Sequence, residues 1–378
     1  MRPHRWRLYE HPSMPREFRW SARQLNRRSL TAMCLKLVRS LRTRDCGHGV
    51  LQPMPIDFTV SDVAEARKLN ATLDRLPRLR MKTPLGRTVL NAVLRIVEIY
   101  PLLRPRLRGI RREFAVADAL NRQVPVRIFR PSTPCRGVII DLHGGGWTIG
   151  NARMSDRQNA SLAAATRAAV VSIDYRLAIS VPIAAQVDDC EAAALWVLRH
   201  AAALFGTTRI VVKASSAGAH LAACMLLRLR DRLPNLDAID GVILYFGLYD
   251  FAGTPMVRNA GRETLLLDAT TVRETLCLLT PGMTEDQRRD PSISPLYAKL
   301  DGLPPALFIV GEEDMLLEDS RKMEARWHAA SGNAELLVAP ASPHAFVKFG
   351  TSIAAKTEAF ANAWIFAHLD PESRRRAG

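Results

Sequence analysis

The chain has 378 residues, of which 48% are hydrophobic and 24% charged, with a formal net charge of +16. That apolar content suffices for one large core, α/β folds run to about 250 residues or more as a single domain, and no run of about 18 apolar residues predicts a membrane-spanning helix. The charge is uneven: residues 1–53 hold twelve Lys and Arg against three Asp and Glu, so most of the basicity belongs to the leading segment.

That leading segment lacks the unbroken apolar stretch of a secretory signal. Leu30, Met33, Leu37 and Leu41 fall on one helical face with Arg28, Lys36, Arg39 and Arg42 around it, the pattern of a membrane-surface helix. A solvated basic tail, or a protein that begins at Met54, is the blander alternative. Weak membrane-surface contact through residues 1–53 therefore stays open, nucleic-acid binding is not expected because no recognition motif accompanies the charge, and the expected location is cytoplasmic, with peripheral membrane contact left open. From Ser61 to about Arg111 the apolar spacing turns helical, with Ser61 as a candidate cap and Asp62 in the first turn. Beyond it, strands are predicted near 124–130, 137–142, 169–174, 209–214, 240–246, 305–310 and 335–339. Helices are predicted near 155–167, 183–204, 217–231, 318–331 and 354–369. This alternation predicts a mostly parallel sheet flanked by helices. A helical stretch from Phe251 to about Arg289 interrupts the rhythm. The six cysteines (34, 46, 135, 190, 224, 277) show neither CxxC pairs nor metal spacing with histidine, so reduced packing thiols are expected and no metal.

Two stretches carry chemistry. After the predicted strand Val138–Leu142 comes His143-Gly144-Gly145-Gly146-Trp147. Three glycines after a strand let backbone N–H groups point into a cleft, which is what an oxyanion requires; with no Gly-Lys-Ser/Thr following, a phosphate-binding loop does not fit. Further on, the β-branched run Ile210–Val212 leads through Ala214-Ser215-Ser216-Ala217-Gly218 into an apolar helix. A strand, a turn of small residues with a serine at its tip, and a buried helix make a nucleophile elbow. Small-residue turns are common between strands and helices; its pairing with HGGGW makes this one specific.

The sequence resembles the hormone-sensitive-lipase group of α/β-hydrolase carboxylesterases. PVRIFRP (Pro125–Pro131), HGGGW, VVSIDYRLA (Val170–Ala178), SSAGAHLAA, ISPLYAKLDGLPPALFIVGEEDMLLEDS and PHAF follow in the family's order, across roughly residues 110–370. The resemblance implies an α/β-hydrolase fold with a helical cap, formed by residues 54–111 and an insertion at about 251–289 within a catalytic domain spanning 112–370, between the basic extension 1–53 and a tail at 371–378. The chain departs from the family in three places. Ala214-Ser215 replace Gly-Asp before the nucleophile, Ile179-Ser180 replace Pro-Glu after DYRLA, and Ala219 replaces a glycine.

A serine nucleophile needs a base and a carboxylate to orient it, in this fold in the order Ser, acid, His. Ser216 stands at the tip of the elbow. The strand Ala306–Gly311 ends at Glu312-Glu313-Asp314, and Asp314 matches the acid of the family's GxxDxLxD, with Glu318 at its last place; Glu312, Glu313, Glu318 and Asp319 are read as surface or cap charges. His344 follows the last strand by a short loop, whereas His328 lies mid-helix and His368 near the end. Catalytic Ser216, Asp314 and His344 are expected, with oxyanion donors Gly145 and Ala217 joined by Gly144 or Gly146, and with His143 and Trp147 supporting the loop. No cofactor is expected, and the partner is a small-molecule ester of short to medium acyl chain. An amidase, deacetylase or lipase would use the same triad. A non-catalytic receptor, such as the gibberellin receptors that resemble this family, lacks the histidine that this chain retains.

Overall fold

The computed structural model describes residues 56–75, 109–178, 180–261, 264–267 and 269–370. The basic extension 1–53, residues 76–108 of the expected N-terminal cap and the 371–378 tail lie outside them.

The described chain opens with α1 (Val60–Leu73). It is capped two residues earlier than Ser61: Thr59 Oγ1 accepts from the Asp62 N–H and Asp62 Oδ2 accepts from the Thr59 N–H, a closed capping box. An eight-stranded sheet follows, formed by β1 (Ile110–Ala119), β2 (Arg122–Pro131), β3 (Val138–Leu142), β4 (Ala169–Ile173), β5 (Ile210–Ser215), β6 (Ile239–Tyr245), β7 (Ala306–Gly311) and β8 (Ala334–Ala339), in the order β1-β2-β4-β3-β5-β6-β7-β8. β1–β2 and β2–β4 pair antiparallel, and from β4 to β8 all pairs are parallel. The seven predicted strands are present. β1 is the addition: the helical pattern was expected to run to Arg111, but the chain turns into an edge strand whose inward residues are the small Ala117 and Ala119 while Phe114 and Val116 face outward.

The central strands are continuous apolar runs because both sheet faces are covered. Ile139, Val170, Val211, Ile243 and Leu307 face the layer holding Leu162 of α2 (Asp156–Thr166) and Trp364 of α9 (Ser352–His368). Their neighbours Ile140, Val171, Val212, Leu244 and Phe308 face the other layer. There they meet Val187 of α3 (Ile183–Phe205), Leu221 and Leu226 of α4 (Ala217–Arg232), and Trp327 of α8 (Leu317–Ser331). The 251–289 stretch holds the short α5 (Pro255–Asn259), α6 (Ala269–Leu279) and a single turn, α7 (Glu285–Arg288).

One polar row crosses this apolar sheet. Asp141 of β3 lies in register with Ser172 of β4 and Lys213 of β5. Its carboxylate accepts from Ser172 Oγ and Asn159 Nδ2, each at 2.7 Å, and from Lys213 Nζ at 2.9 Å. Burial opposes its charge, yet the Lys213 ammonium and these donors hold its carboxyl below the usual range, as a buried charge requires.

α1 ties the chain's start to the C-terminal loops. Lys356 Nζ donates to Asp62 Oδ2 at 2.6 Å, and the Ser352 N–H donates to Glu65. Asn70 Nδ2 donates both to Glu313 Oε2 at 2.7 Å and to the Ala341 carbonyl at 2.9 Å. The helix thus grips the turn after β7 and the loop after β8.

Candidate active site

Parallel strands in α/β sheets deliver their following loops to one crevice, at their carboxyl ends. Four such loops matter here: those after β3, β5, β7 and β8. β5 ends at Ser215, and α4 begins at Ala217. Ser216 between them is forced to φ 53° and ψ −123°, a conformation that costs a non-glycine residue about 1–3 kcal/mol. Its N–H is satisfied by the Tyr245 carbonyl at 2.9 Å. The turn is so tight that a Cβ at position 218 would collide with the carbonyl oxygens of Leu142 and His143, which explains Gly218. Alanine is accommodated at 214 and 219, both fully buried.

Ser216 Oγ lies 3.1 Å from His344 Nε2, and His344 Nδ1 lies 2.8 Å from Asp314 Oδ2. This geometry suits Nδ1–H donating to the carboxylate and Nε2 accepting from the serine hydroxyl. The other oxygen of Asp314 accepts the Leu316 N–H at 2.9 Å, and the residue is 1% exposed. Phe246, after β6, sets its ring edge-on to the imidazole with centroids 4.9 Å apart. The loops carrying Asp314 and His344 are stitched together: the Glu313 N–H donates to the Ser342 carbonyl, and the Ala341 N–H donates to Glu312 Oε2. Glu312 and Glu313 thus turn to this seam, while Glu318 accepts the Met256 N–H and pairs with Lys322. Asp319 is fully buried and takes the Tyr249 N–H, the Asp250 N–H and the Thr254 hydroxyl. Burial pushes its carboxyl up to about 7.

The glycine loop packs against this centre. Gly145 sits at φ 140°, closed to other residues, and its carbonyl accepts from the N–H groups of Thr148 and Ile149. Among the described residues no acceptor meets the N–H groups of Gly144, Gly145, Gly146 or Ala217, and Ala217 is at a helix start, where N–H groups lack intrahelical partners. His143 turns to the loop's own backbone, with Nδ1 2.9 Å from the Gly144 carbonyl oxygen. Its ring stacks on Tyr175 at 4.2 Å, and the Tyr175 hydroxyl donates to the His143 carbonyl at 2.6 Å. Burial lowers its pKa, favouring the neutral ring. Trp147 is buried, and its carbonyl accepts from Gln186 Nε2 and the Ala178 N–H.

These arrangements find counterparts among known proteins. A family model described as the α/β hydrolase fold matches residues 139–348. The carboxylesterase NlhH of Mycobacterium tuberculosis is 32% identical over 323 residues, 82% of this chain and 90% of that protein. The chain belongs to the α/β-hydrolase family. Among solved α/β-hydrolase structures, a hormone-sensitive lipase from a metagenome library is 27% identical with a TM-score of 0.68, covering 83% of this chain and 100% of its own. The esterase LipW from Mycobacterium marinum is 26% identical at a TM-score of 0.72, over 85% of this chain and 99% of its own. A bacterial heroin esterase is 26% identical at 0.71, over 82% and 98%. Within the α/β hydrolases the chain thus groups with the carboxylesterases of the hormone-sensitive-lipase kind.

Two residues at this centre escaped the sequence reading. Asn70 looked like any polar residue on a helix, and its partners lie 243 and 271 positions away. His220 lies in the elbow's helix, where its one signal is a lone polar ring in an otherwise apolar run. No helix among the described residues is long and apolar enough to cross a membrane. No cluster of three or more His, Cys, Asp or Glu able to hold a metal occurs among them. The described cysteines 135, 190, 224 and 277 are unpaired.

Proposed function

We propose that the protein hydrolyses carboxylic esters of short to medium acyl chain, with Ser216 as nucleophile, His344 as base and Asp314 as the carboxylate that orients it. The observation that carries this reading is the continuous chain from Ser216 Oγ through His344 to Asp314, at 3.1 and 2.8 Å, anchored on a strained elbow. His344 Nε2 takes the hydroxyl proton as Ser216 Oγ bonds to the ester carbonyl carbon. The resulting oxyanion is met by the N–H groups of Gly145 and Ala217, with Gly144 or Gly146. His344 passes its proton to the departing alcohol, leaving an acyl-serine. Water then attacks, again giving its proton to His344, and collapse releases the acid and restores the serine hydroxyl.

The acyl-length preference rests on the cap. In this reading the segment from residue 54 up to the start of β1, and 251–289, form it, and both alternate apolar and charged residues in helical periods. Such helices pack one face and turn the other outward; α6 buries Val272 and Leu276, leaves Arg273 and Glu274 half-buried, and exposes Cys277 and Leu278. An acyl chain then enters a closed cavity rather than an oil interface. Each methylene that fits adds up to about 0.8 kcal/mol, until the cavity is full. The test is a rate profile over p-nitrophenyl esters of increasing acyl length, with Ser216→Ala as blank. The expected profile climbs and then turns over. Activity that keeps rising through emulsified long-chain substrates, with a jump at the interface, overturns the preference in favour of a lipase.

A further inference from the structure

We propose that His220 is a positioning residue for the oxyanion site: a neutral imidazole that braces the glycine loop against the nucleophile helix and pins both to the root of the 251–289 insertion. The inference rests on the serine-esterase reading above.

An oxyanion site of this kind is built in two halves. One donor, Ala217, belongs to the start of α4; the other, Gly145, belongs to the loop after β3. Their separation must be fixed before substrate arrives, because preorganised donors stabilise the developing charge without rearranging. His220 lies on α4, four residues after Ser216 and 1% exposed. Trp147, two residues after Gly145, donates its indole N–H to His220 Nδ1 at 3.2 Å. The loop and the helix are therefore joined by a bond between their own side chains. The other end of the indole residue is also held, through its carbonyl, by Gln186 and Ala178. Trp147 itself is at φ 59°, so its position needs this support.

The second ring nitrogen reaches the chain just after the insertion. His220 Nε2 lies 2.7 Å from the Ile293 carbonyl oxygen, which only an Nε2–H can satisfy. Nδ1 must then be the acceptor for Trp147, and the ring is neutral with one tautomer. Burial favours the same form. Phe251, at the start of the insertion, packs on the imidazole with centroids 4.7 Å apart and on Trp147 at 5.0 Å. The Phe251 N–H donates to Ser294 Oγ at 2.7 Å. Phe251 at the start of the insertion and Ile293 just beyond its end thus converge on His220. An aliphatic residue here would leave a buried indole N–H and a buried carbonyl without partners. A residue offering one acceptor and one donor on opposite edges is what the site needs.

The test compares His220→Phe, which keeps a ring and removes both nitrogens, with His220→Gln, which restores one acceptor and one donor. Both are assayed on a short-chain p-nitrophenyl ester for kcat and KM, and with a trifluoromethyl ketone, whose serine adduct carries the oxyanion. His220→Phe is expected to lower kcat by about tenfold or more, to change KM by less than about threefold, and to weaken the ketone by the same factor as kcat/KM. His220→Gln is expected to recover most of both losses. Should His220→Phe fail to fold, Trp147→Phe, which keeps an aromatic ring but removes the indole N–H together with part of the ring system, carries the comparison with a loss in the same direction. Wild-type kcat/KM and ketone affinity in His220→Phe, or an equal loss in His220→Gln, overturn the proposal. If Ser216→Ala is inactive while His220→Phe behaves as wild type, this inference alone fails; if Ser216→Ala keeps esterase activity, the underlying reading fails.

Discussion

Asn70→Ala isolates a contact that joins the first described helix to the loops carrying Asp314 and His344. Asn70 is 8% exposed, and its amide gives one hydrogen to Glu313 Oε2 and the other to the Ala341 carbonyl. A neutral hydrogen bond contributes about 0.5–1.5 kcal/mol, and one to a charged group about 1.5–3 kcal/mol. Glu313 is exposed and can rehydrate, which takes its share to the low end. Asn70 Oδ1 is buried without a partner, so its removal returns part of the loss. A net destabilisation of about 1–2 kcal/mol follows. Glu313 precedes Asp314 and Ala341 precedes His344 by three residues, so the same variant should lower kcat several-fold with KM little changed. Urea unfolding and steady-state hydrolysis of a p-nitrophenyl ester measure the two effects. Asn70→Asp, which sets a carboxylate against Glu313, should be worse on both. An Asn70→Ala protein with wild-type unfolding midpoint and wild-type kcat would refute the idea that α1 steadies these loops.

Asp314→Asn should leave KM near its original value and reduce kcat by on the order of 10³ or more, because an amide can stabilise the wrong His344 tautomer; a loss under tenfold points to another acid. Burial lowers the His220 pKa from 6.5 to about 4. Since the folded pKa lies below the unfolded one, the stability it contributes is complete above about pH 6.5 and is lost as pH falls toward 4, by up to about 3 kcal/mol. Urea midpoints at pH 7.5, 6 and 5 should therefore fall more steeply in wild type than in His220→Phe, and equal slopes contradict this. A chain starting at Met54 should keep its circular dichroism and its esterase activity, because every described element begins beyond residue 56; aggregation or inactivity would assign the basic segment a structural part.

The parts of the fold that were legible share a cause. Val138–Leu142, Ile210–Val212 and Ala306–Gly311 are buried on both faces, so burial alone writes them as apolar runs. The elbow was readable because one steric fact, the approach of α4 to the Leu142 and His143 carbonyls, dictates glycine at 218, two residues after Ser216. β1 was not readable. It is an edge strand that turns alanines inward and Phe114 and Val116 outward, which blurs the period-2 signal, and the helical apolar spacing before it runs on into its first residues. The cap of α1 was misplaced by two residues because Ser61 and Thr59 are both competent and only the reach of Asp62 chooses between them. Asn70 and His220 were silent for a different reason. Their chemistry lies in partners brought close by the fold, and a single polar side chain in a helix carries no local mark of a partner 73 or 243 residues away.

The central claim concerns which hydroxyl attacks, since Ser215 and Ser216 are adjacent and only Ser216 has the elbow's strained backbone and the histidine contact. Labelling with a fluorophosphonate, followed by fragmentation of the modified peptide, reads this directly. A single phosphonyl adduct is expected on Ser216, lost in Ser216→Ala and retained in Ser215→Ala; an adduct on Ser215, or labelling that survives Ser216→Ala, contradicts Ser216 as the nucleophile.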